Sequence, residues 1–249
     1  TGNDTYVVAR TSGIIITENA NEGTDLVQSS ATYTLRNNLQ KVRLAAPGCP
    51  VLAVIKANAY GHGLIQVARI LDSADAFAVA RLEEAVQLRE AGIRKRLVIL
   101  GGCTTAEELR TAAELAIDVV VHAPEQLALL ENTGVATPVW CWLKLDTGMA
   151  RLGLPVSAAA TAIIRLRQCR SVSGVTLMTH LASADDRDDP ATPAQMATFA
   201  ALLKDWQGDV SVANSAAILQ WPDTLHNTGI LRYGGRNWVR PGLMLFGAS

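Results

Sequence analysis

Val54-Ile55-Lys56-Ala57-Asn58-Ala59-Tyr60-Gly61-His62-Gly63 decides the reading of this chain. A short β-branched run ends in a lysine, then turns through small residues and a tyrosine into a helical pattern. Burial strips an ammonium of its hydration, so a lysine where a core strand gives out needs an exit. It can reach the surface, find an ion pair, or react as a neutral amine to form a Schiff base. Tyr60 and the glycines beyond it suit a phosphate held near a helix start.

Outward from this stretch, strand-like and helix-like patterns alternate from Leu35 onward. Leu35, Leu39, Val42 and Ala46 share one face of an amphipathic segment. Strands are expected at 51–56, 76–80, 97–100, 118–121, 138–144, 174–179, 210–213 and 242–246. Helices are expected at 62–72, 81–91, 105–115, 124–131, 157–169 and 193–204, with Thr105 and Glu108 spaced as a capping box. Eight strands with intervening helices fit an α/β fold of the (β/α)8 barrel type better than an open doubly wound sheet. A barrel also explains why the chemically interesting residues fall at strand C-termini, where such enzymes build their sites.

Residues 1–34 have a different texture. Short strand patterns at 2–8, 14–16, 25–27 and 32–34 are separated by Asn, Gly and Asp turns. Gly2-Asn3-Asp4 resembles one unit of the calcium-binding β-roll of repeat-in-toxin proteins. A β-roll needs stacked turns, and one turn is present, so the segment reads as an appended β extension. The chain thus divides into 1–34 and a domain at 35–249.

Apolar residues make up 49% of the chain, charged residues 18%, and the net charge is −1. That balance describes a globular protein with a sizeable core and gives no electrostatic reason for a nucleic-acid or membrane partner. No apolar run matches a bilayer span, and the start lacks the order of a signal peptide. Cys49, Cys103, Cys141 and Cys169 are widely spaced. They read as reduced thiols of a cytoplasmic protein, with no metal site expected.

Four further stretches carry chemistry. Trp142-Leu143-Lys144-Leu145-Asp146-Thr147-Gly148-Met149-Ala150-Arg151 ends a strand in a lysine and brings back an arginine seven residues later. Thr179-His180-Leu181-Ala182 and Asn214-Ser215-Ala216-Ala217 each follow an apolar strand. Val239-Arg240-Pro241-Gly242-Leu243-Met244-Leu245-Phe246-Gly247 closes the series. With the opening stretch, and in this order, they resemble the alanine racemase family over residues 35–249.

The resemblance implies a pyridoxal 5′-phosphate (PLP) enzyme that interconverts L-alanine and D-alanine for peptidoglycan synthesis. Lys56 would carry PLP covalently and act as a base on one face of the substrate. Tyr60, Asn214, Ser215, Gly242 and Leu243 would hold the cofactor phosphate. Arg240 would donate to the pyridine nitrogen, with His180 beside the ring. Arg151 would bind the substrate carboxylate, and Lys144 is the candidate for a carbamylated lysine that positions it. An arginine at the ring nitrogen weakens the electron sink, which suits racemisation better than transamination.

The family's barrel is followed by a β domain, and its second base is a tyrosine of that domain delivered across a homodimer interface. This sequence stops at Ser249, so the domain is expected to be absent and the barrel to supply only the lysine half of the chemistry. Residues 226–237 lengthen a loop, and Tyr233-Gly234-Gly235, which looks like the family's tyrosine motif, reads there as a surface turn. A non-catalytic PLP homeostasis barrel is the alternative. The Lys144 to Arg151 segment argues against it, since a carrier needs no carboxylate clamp.

Overall fold

The computed structural model describes residues 5–7, 26–28, 30–226 and 231–247, with side chains from residue 34. A short parallel pair, β1 (Thr5–Val7) and β2 (Leu26–Gln28), precedes helix α1 (Ser30–Ala45). Then follow β3 (Leu52–Val54), α2 (Lys56–Tyr60), α3 (Leu64–Ile70), β4 (Ala76–Val79), α4 (Leu82–Glu90), β5 (Arg96–Ile99) and α5 (Ala106–Glu114). The second half contains β6 (Ile117–Val121), α6 (Pro124–Asn132), β7 (Val139–Asp146), β8 (Leu154–Pro155) and α7 (Ala159–Gln168). It ends with β9 (Val172–Met178), α8 (Ala191–Leu202), β10 (Val210–Ser211) and α9 (Ser215–Gln220).

Strands pair in parallel in the order β3-β4-β5-β6-β7-β9-β10, with β8 a short addition to the end of β7. The crossovers are helical, as parallel pairing requires. Helices begin where the sequence signals them: Thr105 Oγ1 accepts the Glu108 N–H at 3.1 Å, and Glu108 accepts the Thr105 N–H at 3.2 Å. Leu35, Leu39, Val42 and Ala46 are all buried, as their spacing predicts.

Two strand expectations are corrected. Residues 32–34 lie inside α1, so they are helical. The eighth strand is not 242–246, because Leu243–Phe246 forms a 3-10 helix. Residues 236–241 take the strand's place. On one side, Leu52 N donates to Val239 O and Val54 N to Pro241 O, at 2.9 and 2.8 Å; on the other, Trp238 N donates to Val210 O and Arg240 N to Ala213 O, at 2.8 and 2.9 Å. These bonds close the sheet into a barrel. The apolar run Leu243–Phe246 misleads because such a run fits a buried helix as well as a strand. Pro241, which has no N–H, marks the end of the true ladder. The expected strand at 14–16 and the Gly2-Asn3-Asp4 turn lie outside the described residues. In the lengthened loop, the surface-turn reading fails for Tyr233, which is buried beside Asn237; Gly234 and Gly235 are exposed.

Side chains alternate along each strand, and the barrel interior is layered accordingly. Leu52, Val54, Ala76, Ala78, Val98, Val120, Trp142, Met178 and Trp238 pack as one apolar cluster. A separate and larger cluster, with Leu39, Phe77, Leu97, Ile99, Leu109, Leu143 and Phe199, seats the helices on the outside. Two residues before the apolar layer stand Arg96, Asp118, Trp140 and Thr176. Asp118 Oδ2 accepts from Arg96 Nε at 2.6 Å and from Trp142 Nε1 at 2.8 Å. The Arg96 guanidinium lies 5.0, 5.5 and 5.3 Å from the ring centroids of Trp140, Trp142 and Trp238. Such contacts suit an arginine that has lost part of its water. The strand N-termini are thereby plugged by the Arg96–Asp118 pair and three indoles, of which Trp238 also donates to Asp209 Oδ2 at 2.9 Å.

Arg96→Met leaves the Asp118 carboxylate inside the barrel with one indole donor. It is expected to lower unfolding free energy by about 3 kcal/mol, and Arg96→Met with Asp118→Leu to recover most of that loss. Urea unfolding of the single and double variants checks this, and a single variant as stable as the parent protein refutes it.

Candidate active site

The alternation that plugs one end of the barrel builds the other. Two residues beyond the apolar layer, Val54 is followed by Lys56, Trp142 by Lys144, Met178 by His180 and Trp238 by Arg240. Four strands thus deliver four basic side chains to one mouth at the strand C-termini. Burial, then the charges of Arg240, Arg151 and Lys56, lower the Lys144 ammonium to about 8 against a weak opposing pull from Asp146. Lys144 is 8% exposed.

Arg240 is buried at 4% exposure and ties three strand ends together. Its Nη1 donates to Ser211 Oγ, and its Nη2 to the carbonyls of Thr179 and Val212 at 2.6 and 3.1 Å. Nη2 also lies 3.4 Å from His180 Nδ1. A guanidinium only donates, so this contact makes Nδ1 the acceptor and leaves the imidazole proton on Nε2. Burial, then Arg240, Lys144, Arg151 and Lys56, push His180 down to about 3, so the ring is neutral at physiological pH. Burial lowers Arg240 itself to about 10, which still leaves it a cation.

Lys56 starts a turn of unusual hand. Ala57, Asn58, Ala59 and Tyr60 have φ of +53°, +52°, +54° and +54°, one turn of left-handed helix without a glycine. Left-handed backbone costs an L-residue about 1–2 kcal/mol, so the run must be held from outside. Asn58 Oδ1 accepts the Leu64 N–H at 2.9 Å, and Asn58 O accepts from Gly61 and Gly63 at 3.1 and 3.0 Å. The sequence pattern foresees a turn here but not its hand.

The turn brings Tyr60 against the last loop. A Cβ on Gly242 would lie 2.6 Å from the Tyr60 hydroxyl oxygen, so any other residue there must push the phenol aside. Phe246 packs on Tyr60 and His62, with ring centroids 5.3 and 4.7 Å away. Ser215 Oγ accepts the N–H groups of Gly242 and Met244 at 3.0 and 3.3 Å. Asn214 caps α9 by accepting the Ala217 N–H at 3.0 Å, and its Nδ2 donates to Leu181 O at 3.2 Å. Leu243 is 53% exposed beside them. Hydroxyls and backbone amides from three loops converge in this corner.

Arg151 reaches the mouth from a loop that folds back on itself. Asp146 Oδ1 accepts the N–H groups of Gly148 and Ala150 at 3.0 and 3.1 Å, and these bonds hold its carboxyl below the usual range. Gly153 allows the return, since a Cβ there would sit 2.6 Å from the Asp146 nitrogen. Arg151 is exposed, yet its charge is felt at both Lys144 and His180.

All ten residues singled out from sequence therefore surround one opening, in two groups. Lys56, Lys144, Arg151, His180 and Arg240 form a basic ring, and Tyr60, Asn214, Ser215, Gly242 and Leu243 form a polar corner. Three contributors were not foreseen. Ser211 receives Arg240, while Glu84 bonds the left-handed turn. Gln195 donates to His180 O and Thr147 Oγ1 at 3.0 and 3.3 Å and accepts from Ala182 N at 2.9 Å. Tyr233 lies away from the mouth, near Cys49 and Asn237 at the strand N-termini.

The sequence profile of the family described as "Alanine racemase, N-terminal domain" matches residues 32–249. An alanine racemase of Nitrosococcus oceani is 50% identical over 221 residues, covering 86% of this chain and 58% of that protein. One of Shewanella sediminis is 45% identical over 220 residues, covering 88% of this chain and 59% of the relative. The crystal structure of the biosynthetic alanine racemase of Pseudomonas aeruginosa superposes with a TM-score of 0.78 at 38% identity, over 88% of this chain and 58% of that one. This chain spans less than two thirds of the length of each. By profile, identity and barrel architecture together, the chain belongs to the alanine racemase family, of which it carries the N-terminal domain.

Proposed function

We propose that this chain is the PLP-holding barrel of an enzyme that interconverts L-alanine and D-alanine, and that Lys56 is its attachment point. The observation carrying this reading is the convergence of Lys56, Lys144, Arg151, His180 and Arg240 on one mouth beside the Tyr60–Ser215–Gly242 corner. The donor set fits the cofactor. The corner offers hydroxyls and backbone N–H groups, as a phosphate requires, beside a glycine whose missing Cβ leaves the Tyr60 hydroxyl in place. Arg240 has donors only, matching an unprotonated pyridine nitrogen.

PLP, when bound, supplies the electron sink that makes a Cα–H bond of an amino acid acidic enough to break. The rest falls to the chain's own groups. Tyr60, Asn214, Ser215, Gly242 and Leu243 hold the phosphate end. His180, neutral and fixed by Arg240, would neighbour the ring without adding charge. Arg151 offers a planar fork for the substrate carboxylate. Lys56 moves the proton on one face. Racemisation needs a proton carrier on each face. We assign the second to the β domain that follows the barrel in the resembled enzymes, reaching over from the other subunit of a homodimer. The barrel alone is then expected to bind PLP without turnover. We also assign the reaction to the cytoplasm and to the supply of D-alanine for peptidoglycan, and treat the residues ahead of α1 as an appended extension, its end moved back from 34 because α1 begins at Ser30.

Lys144 suits carbamylation. With its ammonium lowered to about 8, a fraction is neutral at physiological pH and can add carbon dioxide, forming an N–C bond and releasing a proton. The product is an anion beside Arg151, replacing a repulsion by an attraction.

Three outcomes are expected. Borohydride reduction with PLP, followed by peptide mapping, should place a phosphopyridoxyl group on Lys56 and none on the folded Lys56→Ala variant; a stoichiometric adduct in that variant sinks the assignment. Gly242→Ala should weaken PLP by about tenfold or more through the Tyr60 clash, read by absorbance titration. With 13C-bicarbonate, a carbamate NMR signal should be present at pH 8, fade as pH falls and Lys144 takes up its proton, and be missing from Lys144→Gln.

A further inference from the structure

We propose that Glu84 is a positioning residue for Lys56, its carboxylate locking the left-handed turn that carries the lysine to the barrel mouth. The proposal rests on Lys56 being the PLP attachment point. Glu84 lies in the first turn of α4, one strand-helix unit after the lysine. Its Oε2 accepts the Ala80 N–H at 2.8 Å and the Arg81 N–H at 3.4 Å, which fixes the carboxylate to the loop after β4. Its Oε1 reaches back to the preceding unit and accepts the Asn58 N–H at 3.1 Å. Asn58 is the second of the four left-handed residues, and its own side chain and carbonyl hold Leu64, Gly61 and Gly63.

The next unit supplies an internal comparison. Glu108, in the first turn of α5, accepts the N–H groups of Thr104 and Thr105 at 2.6 and 3.2 Å. Among the described residues, the bonds its carboxylate accepts all come from its own loop, including one from the Thr104 hydroxyl at 3.0 Å. Capping a helix in this barrel therefore does not need a reach to the neighbouring unit. Glu84 makes that reach to a backbone in a conformation that persists only when its surroundings over-determine it. Without it, residues 57–60 are free to relax towards the right-handed region, and the direction of the Lys56 side chain changes with them.

Glu84→Ala and Glu108→Ala form a matched pair, since both remove a cap and one also removes the reach. Amide hydrogen exchange over residues 55–64 is read on the cofactor-free protein. PLP affinity is read from the visible absorbance of the lysine-bound form. Glu84→Ala is expected to speed exchange across 57–61 and to weaken PLP by about tenfold, with Glu108→Ala close to the parent protein in both. Unchanged exchange in Glu84→Ala, or equal effects from Glu108→Ala, would overturn the proposal. Glu84→Gln offers one oxygen where two are used, should fall between, and carries the comparison if the alanine variant does not fold. If the parent protein traps no PLP on Lys56, the functional reading fails, and exchange alone decides whether Glu84 holds the turn.

Discussion

In a closed parallel barrel every second residue of a strand faces the interior, and this protein hangs three layers on that alternation. A strand cannot slip by one residue without exchanging its inner and outer faces. The apolar middle layer fixes the register. Given the register, Arg96, Asp118, Trp140 and Thr176 fall at one end and Lys56, Lys144, His180 and Arg240 at the other. The site is thus a by-product of strand phase. Moving Lys144 one place along β7 would put it among the helices, where Leu143 and Leu145 now pack.

The two polar layers are built on opposite electrostatic terms. At the plugged end a carboxylate sits against the guanidinium, and indole rings cover it. At the open end five basic side chains crowd together with Asp146 as a weak counterweight, and its carboxylate is already spent on backbone N–H groups. Such crowding opposes folding and favours anions, a common trade at functional sites. Burial first, and then this crowding, strips His180 of its proton and loosens the one on Lys144. Arg240 stays charged because Thr179, Val212 and Ser211 take its donors.

Much of this was legible in the sequence, for identifiable reasons. Ala76–Val79, Ile117–Val121 and Val139–Asp146 are apolar runs of strand length, and each is a strand. Lys56, Lys144 and His180 stood out because polar residues at the end of such runs are conspicuous. Asn237–Arg240 was overlooked as a strand because its inner face carries tryptophan and arginine, while the apolar run after it attracted the assignment. The hand of the turn at 57–60 was hidden because alanine, asparagine and tyrosine favour the opposite hand. Gln195, Ser211 and the reach of Glu84 to Asn58 left no signal, although the cap Glu84 makes on its own helix is a local pattern. These bonds join one unit to another, and no local pattern encodes such a bond.

Closure by residues 236–241 also bears on how the chain comes to fold. Until that segment arrives, β3 and β10 are open sheet edges, each with unpaired backbone groups that invite association with other chains. The segment pairs with β3 across nearly the whole length of the domain, the kind of contact that forms slowly. Gly242 and Ser215 cannot meet Tyr60 before it does. During synthesis, then, the lysine turn emerges early and waits for the last part of the barrel, and the pocket around it is among the final pieces of the domain to take shape.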